Sequence, residues 1–169
     1  MEISRALRAC GWDAADYRYV EGYRARVKSL NFVKPGGFFE PYDSFRYFFM
    51  DRCDDEQVIC RNLASLGDEF EEAWFRILLA DALFMNTDRH MRNFGVIRSA
   101  ETGLVLRMAP NFDNNQAYTA NPGGAYSDAM LKRFVNDHGG QTSLLQPLVQ
   151  ACGTLPYLHR AADVGRMYV

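Results

Sequence analysis

Two short segments hold the groups with which this chain could do chemistry. Asn86-Thr-Asp-Arg-His-Met-Arg-Asn93 sets a carboxylate, Asp88, beside Arg89 and His90, with the Asn93 amide five residues on. Asn111-Phe-Asp-Asn114 supplies a second carboxylate, Asp113, twenty positions after Asn93. Moving a phosphoryl group asks a protein for positioning and charge compensation, with little covalent chemistry. Mg2+ prefers oxygen ligands and keeps several waters, so a carboxylate and an amide suffice to hold it. On this reading Asp113 and Asn93 are the metal ligands. Asp88 aligns a hydroxyl and accepts its proton. His90 is expected to point inward and brace the loop, and Arg89 either to offset phosphate charge or to pair with a carboxylate. Each piece alone is common, since an Asp after a strand is usually a turn residue. The order of parts carries the reading: apolar helix, Asp-x-His-x-x-Asn, hairpin, apolar-x-Phe-Asp.

The elements that must position these groups are legible around them. Asp68 to about Met85 reads as a helix, with Asp68 as its expected cap and Glu69, Glu71 and Glu72 suited to the positive end of its dipole. Phe70, Trp74, Ile77, Leu78 and Phe84 form its apolar stripe. Asn86 and Asp88 favour leaving helical geometry. Phe94–Arg98 and Leu104–Met108 are β-rich runs joined by the glycine-containing Ser99–Gly103, as in a hairpin. A hairpin returns the chain to its start, so Asp113 is expected close to Asn93.

Elsewhere, residues 2–10 read as a helix with Ile3, Ala6 and Leu7 on one face. Tyr17–Val20 and Arg24–Leu30 suggest a small hairpin about Glu21-Gly22, and Lys34-Pro-Gly-Gly37 a turn. Tyr42–Phe49 suggests an aromatic-rich helix, followed by an exposed acidic stretch from Asp51 to Glu56. Asn114 to Gly124 reads as a loop, and the tail as helices over Ser127–Val135, Ser143–Ala151 and Leu158–Val164. No internal repeat or linker divides residues 1–169, which read as a single domain.

Composition narrows the function class. At 169 residues, 48% hydrophobic and 14% aromatic, the chain can bury a real core. A net charge of −2 provides no overall field for nucleic acid or an anionic membrane. The four cysteines form no CxxC pair and none of the three histidines stands beside one, which argues against zinc and for free thiols in a reducing cytoplasm. The charged start is unlike a signal peptide, and the longest apolar run, Ile77 to Met85, is interrupted by Asp81 and too short to span a bilayer. A cytoplasmic protein is expected.

The segment Leu79-Ala-Asp-Ala-Leu-Phe-Met-Asn-Thr-Asp-Arg-His-Met-Arg-Asn-Phe-Gly95, with Met108-Ala-Pro-Asn-Phe-Asp-Asn114, resembles the C-lobe of HipA-like serine/threonine kinases. That bacterial family includes kinase toxins and relatives linked to phages or mobile elements. Phosphoinositide-kinase-like enzymes share Asp-Arg-His-x-x-Asn, but the Ala-Pro-x-Phe-Asp context favours the HipA-like side. The resemblance implies an α+β fold, a mostly helical kinase-like C-lobe with a short β-hairpin carrying the metal site and a small N-terminal hairpin. It implies Asp88 as catalytic base, Asn93 and Asp113 as Mg2+ ligands, ATP as phosphoryl donor and a protein Ser or Thr hydroxyl as acceptor.

The resemblance is strongest over residues 68–115 and weaker over the first fifty, where Glu2 falls at the position of the glutamate that pairs with the ATP lysine. On that alignment residues 1–50 are an inter-lobe remnant and residues 51–169 the helical C-lobe. No glycine-rich phosphate loop or partner lysine is evident, because Lys34-Pro-Gly-Gly37, the one candidate, reads as a turn. A split kinase completed by a separate N-lobe subunit, an inactive pseudokinase that binds a protein, and an antitoxin partner are therefore all expectations of this sequence. A phosphoinositide-kinase-like fragment should be basic, against a pI of about 5.9. A metal-dependent phosphohydrolase would carry more clustered carboxylates.

Overall fold

The computed structural model describes residues 1–22, 27–118 and 126–169. Among them lie seven α-helices and two small antiparallel sheets. Helix α1 (Glu2–Ala9) is followed by the paired strands β1 (Tyr17–Tyr19) and β2 (Val27–Ser29). Then come β3 (Gly37–Pro41), α2 (Tyr42–Phe49), α3 (Glu56–Ala64) and α4 (Asp68–Phe84). The hairpin β4 (Gly95–Ser99) and β5 (Val105–Met108) joins β3 in a sheet of order β3-β4-β5. Helices α5 (Ala129–Asp137), α6 (Leu145–Gly153) and α7 (His159–Gly165) close the chain.

Helix α4 is the spine. The expected stripe residues Phe70, Trp74, Ile77 and Phe84 are buried, and so are Phe75, Leu79, Ala80, Ala82 and Leu83. A helix apolar on most sides must be covered on most sides, and two apolar clusters share it. Leu79 and Leu83 pack with Leu7 of α1 and with Leu131, Leu148 and Leu158 of the tail. Trp74 and Ile77 pack with Tyr42 and Phe45 of α2, Leu63 of α3, Val96 of β4 and Phe94, which immediately precedes β4. Trp74 and Tyr42 both lie against the Phe94 ring, at 4.4 and 5.0 Å between centroids. Phe94 follows the loop of interest directly, so its packing anchors one end of that loop.

The start of α4 corrects one expectation. Gly67, at φ 142°, occupies the capping position and Asp68 is the first helical residue, with no side-chain cap bond. Asp68 therefore acts through the helix dipole, together with Glu69 and Glu71. At the other end Met85 adopts left-handed geometry, φ 54°, and turns the chain out of the helix.

Two elements escaped the sequence reading. Helix α3 begins at Asp55, whose carboxylate accepts a hydrogen bond from the Gln57 amide at 2.8 Å. Strand β3 adds a third strand to the hairpin through the register Gly37↔Ser99 to Pro41↔Gly95. The Lys34-Pro-Gly-Gly37 turn is as expected: the Gly37 amide donates to the Lys34 carbonyl at 3.1 Å and Gly36 has φ 83°. Arg24–Arg26 of the second expected strand and residues 119–124 of the expected loop lie outside the described residues.

The sheet depends on one close approach. A Cβ on Gly95 would stand 2.2 Å from the Glu40 carbonyl oxygen and 2.9 Å from Pro41 Cα. Gly95→Ala is expected to lower stability by about 3 kcal/mol, because backbone rather than a flexible side chain must move. A denaturant midpoint equal to that of the parent chain would contradict this.

All four cysteines are free thiols. Burial pushes Cys152 up to about 12. Burial, reinforced by Glu71, pushes Cys60 up to about 11. Among the described residues no helix is long and apolar enough to cross a membrane.

Candidate functional site

One guanidinium assembles the site. Arg89 Nε and Nη2 donate to the two oxygens of Asp81, at 2.7 and 2.8 Å. Both side chains are almost wholly buried, 7% and 6% exposed. Arg89 Nη1 donates to the Asn93 carbonyl and to the Phe112 carbonyl, each at 2.8 Å, and Nη2 also reaches Asn114 Oδ1 at 2.9 Å. Helix α4, the loop after it and the Asn-Phe-Asp segment are thus tied at a single side chain. Of the two roles open to Arg89, pairing with a carboxylate is the one it performs, and its planar fork suits it to this bidentate task. Asp81 was visible in the sequence only as a carboxylate interrupting an apolar run.

The loop braces itself around Asp88. Asn93, 5% exposed, donates its side-chain nitrogen to the Asp88 carbonyl at 3.0 Å, which leaves its amide oxygen as the atom able to meet a cation. His90 corrects a second expectation. It is exposed, and its Nδ1 accepts from the Arg92 amide at 3.2 Å. The inward bracing expected of it is supplied by Arg89 and Asn93.

Asp113 is held from the N-terminal region. Its φ is 57°, a left-handed geometry that Asp tolerates better than most residues, and its amide donates to the Tyr17 hydroxyl at 3.0 Å. Phe112 stacks on Phe32 and meets Phe39 edge-on, with centroids 5.5 Å away in each case. The Asn111 amide donates to the Asp13 carbonyl and its carbonyl accepts from the Ala15 amide, both at 2.9 Å. Asp13, Ala15, Tyr17, Phe32 and Phe39 therefore fasten the Asp113 turn, and no local motif announced Tyr17 in that role.

The carboxylates divide into spent and free. Asp81 is consumed by Arg89 and by Asn86 Nδ2, at 2.8 Å. Among the described residues the side chains of Asp88 and Asp113 make no hydrogen bond or ion pair within the protein, and both are half-buried. Asp113 opens on a cleft of about 600 Å³ shared with Glu2, Tyr17, Asn114 and Tyr118. Glu2 is paired there with Arg5, at 3.1 Å. Thr87, Arg89 and His90, the neighbours of Asp88, line a second cleft of about 790 Å³ beside Trp74 and Phe94. Among the described residues no three His, Cys, Asp or Glu side chains converge as a metal cluster. The Asn93 amide oxygen and the Asp113 carboxylate are oxygen donors, the ligand type that Mg2+ prefers.

No family model and no curated protein matches the sequence. Solved structures do match. The crystal structure of the Helicobacter pylori proinflammatory kinase CtkA aligns with a TM-score of 0.65 at 12% identity, over 99% of this chain and 82% of that one. HipA of the Shewanella oneidensis MR-1 toxin–antitoxin system, solved with HipB and its operator DNA, aligns with a TM-score of 0.54 at 13% identity. The fold is HipA-like. The match covers 99% of this chain and 48% of that HipA chain, so the sequence spans about half of HipA. Within the HipA-like fold, helix, Asp-x-His-x-x-Asn, hairpin and Asn-Phe-Asp fall on α4, its following loop, β4–β5 and the turn held by Tyr17.

Proposed function

We propose that the chain is the catalytic-loop portion of a HipA-like serine/threonine kinase and moves the γ-phosphate of ATP to a protein hydroxyl. The observation that carries this reading is the double hold of Arg89 on the Asn93 and Phe112 carbonyls, which joins the Asp88 loop to the Asp113 turn. Asp88 aligns the acceptor hydroxyl and takes its proton as the oxygen bonds to the γ-phosphorus and ADP departs. The Asn93 amide oxygen and the Asp113 carboxylate would hold Mg2+, which supplies positive charge against the phosphate oxygens. Arg89 positions both segments and leaves the phosphates to other groups.

A second reading is favoured by a specific feature. Among the described residues the lining of the Asp113 cleft includes no lysine or arginine, and Lys34-Pro-Gly-Gly37 is occupied as a sheet turn, with the Gly36 carbonyl accepting from Ala100 at 2.8 Å. A separate subunit would then supply the phosphate-neutralising groups, or the chain would act as a pseudokinase that binds a partner protein.

Calorimetric titration with ATP, with and without Mg2+, separates the readings. The kinase reading expects heat only when Mg2+ is present, lost in Asp113→Asn while the fold is retained. No magnesium-dependent heat from the parent chain would exclude independent catalysis and leave the second reading.

A further inference from the structure

We propose that the outer edge of β2 takes up an added β-strand from another polypeptide, one that alternates apolar residues with aspartate or glutamate. The register of the β1–β2 pair fixes which backbone groups are on offer. The Leu30 amide donates to the Asp16 carbonyl at 2.8 Å, and Tyr17, Arg18 and Tyr19 stand opposite Ser29, Lys28 and Val27. Hydrogen-bonded and non-hydrogen-bonded positions alternate in an antiparallel pair. Arg18 and Lys28 therefore exchange bonds, and the N–H and C=O groups of Val27 and Ser29 point outward. Among the described residues none of those four groups is bonded. All three residues of β2 are exposed, and a two-stranded sheet is marginal in water without a further strand. An open strand edge of this kind is a template for pairing.

The two faces of the sheet decide the pattern of the occupant. Successive side chains of a strand point to opposite faces. Tyr17, Tyr19 and Val27 share one face and line the Asp113 cleft, whereas Arg18 and Lys28 fall on the other and do not. Tyr19 is 65% exposed and Val27 48%, so the apolar face is left uncovered toward the edge. On the opposite face Arg18 pairs with Asp16, which Arg8 also holds, and the Lys28 side chain has no partner among the described residues. From Tyr23 to Lys34 the sequence carries Arg24, Arg26, Lys28 and Lys34 and no carboxylate, in a chain of net charge −2. A strand hydrogen-bonded to Val27 and Ser29 sets one residue beside Lys28, where a carboxylate is favoured. Its two neighbours fall on the face of Val27, where apolar side chains cover what is now open. A second copy is a poor occupant, because pairing through both Val27 and Ser29 would set Lys28 opposite Lys28. The inference does not rest on the phosphoryl-transfer reading, because the edge uses none of Asp88, Asn93 and Asp113.

The test begins by panning the purified chain against a displayed library of nonapeptides in which Val, Ile or Thr alternates with positions free to be Asp, Glu, Lys, Arg or Ser. Enriched peptides, resynthesised with acetyl and amide ends, are titrated without nucleotide into the 15N-labelled chain. Acidic sequences are expected to predominate, and the amide signals of Val27 and Ser29 to shift and gain protection from hydrogen exchange. Exchanging the peptide's central carboxylate for lysine, or Lys28→Glu in the chain, should weaken binding about three- to tenfold, and the two changes together should restore it. Lys28 is exposed, so its replacement leaves the bonds between β1 and β2 in place. N-methylation of the peptide along one edge should abolish binding, since it removes the donors of the new ladder without altering the chain. Failure to enrich any acidic peptide overturns the proposal. So does binding that leaves the Val27 and Ser29 signals unmoved, or that is indifferent to Lys28→Glu. Concentration-dependent broadening of the same signals in the chain alone would assign the edge to a second copy and overturn it equally.

Discussion

Arg89→Ala is expected to cost about 3–5 kcal/mol of stability, the effect of leaving one member of a buried ion pair alone. For a domain of this size that is a fall in Tm of roughly 10 °C or more. Asp81 sits in the last quarter of α4 among Leu79, Ala80, Ala82 and Leu83, all buried. With arginine removed, its carboxylate keeps, among the described residues, only the Asn86 amide as a side-chain donor. Two backbone carbonyls, of Asn93 and Phe112, lose their shared donor at the same time. Arg89→Lys should fall between parent and alanine, because an ammonium cannot meet both carboxylate oxygens and both carbonyls in one plane. Replacing the pair together, Asp81→Leu with Arg89→Leu, should be less damaging than Arg89→Ala alone, since no charge is stranded. Thermal unfolding followed by circular dichroism measures all four chains, and a Tm for Arg89→Ala within 2 °C of the parent would refute the role given to this residue.

The second large effect is chemical. Asp88→Asn is expected to reduce transfer of γ-phosphate, into the chain itself or into a serine- and threonine-rich acceptor, by about 10²- to 10⁴-fold. Its Tm should stay where it is. The contrast with Arg89 follows from the geometry: the structural contacts of Asp88 run through its backbone carbonyl, which accepts from Asn93 Nδ2 and from the His90 amide at 3.0 Å each. Its carboxylate has no partner among the described residues, so exchanging it for an amide removes the base of the proposed reaction and no contact that holds the fold. Equal turnover by the variant and the parent would sink the assignment of Asp88. A variant that is both inactive and unfolded would show that the side chain is structural after all.

The pair of variants also separates two kinds of residue that stand side by side in the chain. Asp88 and Arg89 are neighbours in one motif, yet one is expected to change rate without stability and the other stability first. His90, exposed and turned toward the Arg92 amide, is not the brace its neighbours suggested.

Local pattern was readable where it was periodic. The apolar face of α1, with Ile3, Ala6 and Leu7, is buried as expected, and α2 spans Tyr42–Phe49 as read. The hairpin after Asn93 lies within a residue of its expected bounds, because alternation and a glycine-containing loop are properties of neighbouring residues. Helix α3 was hidden by the acidic stretch that contains its own cap, Asp55. Strand β3 was hidden because its stability comes from pairing with β4, far along the chain.

By itself the sequence determined which groups are present, Asp88, Asn93 and Asp113, and that a hairpin would bring the last two regions together. Only tertiary structure decided how they are held. Asp81 and Arg89 are 8 residues apart, Arg89 and Phe112 are 23, and Tyr17 and Asp113 are 96. Spacing along a helix or strand is set by backbone geometry and can be counted from residue types. The choice of partner for a buried charge is set by which donors and acceptors the packed core leaves within reach. Arg89 had two chemically sensible roles in the sequence, and burial against Asp81 is what selected one.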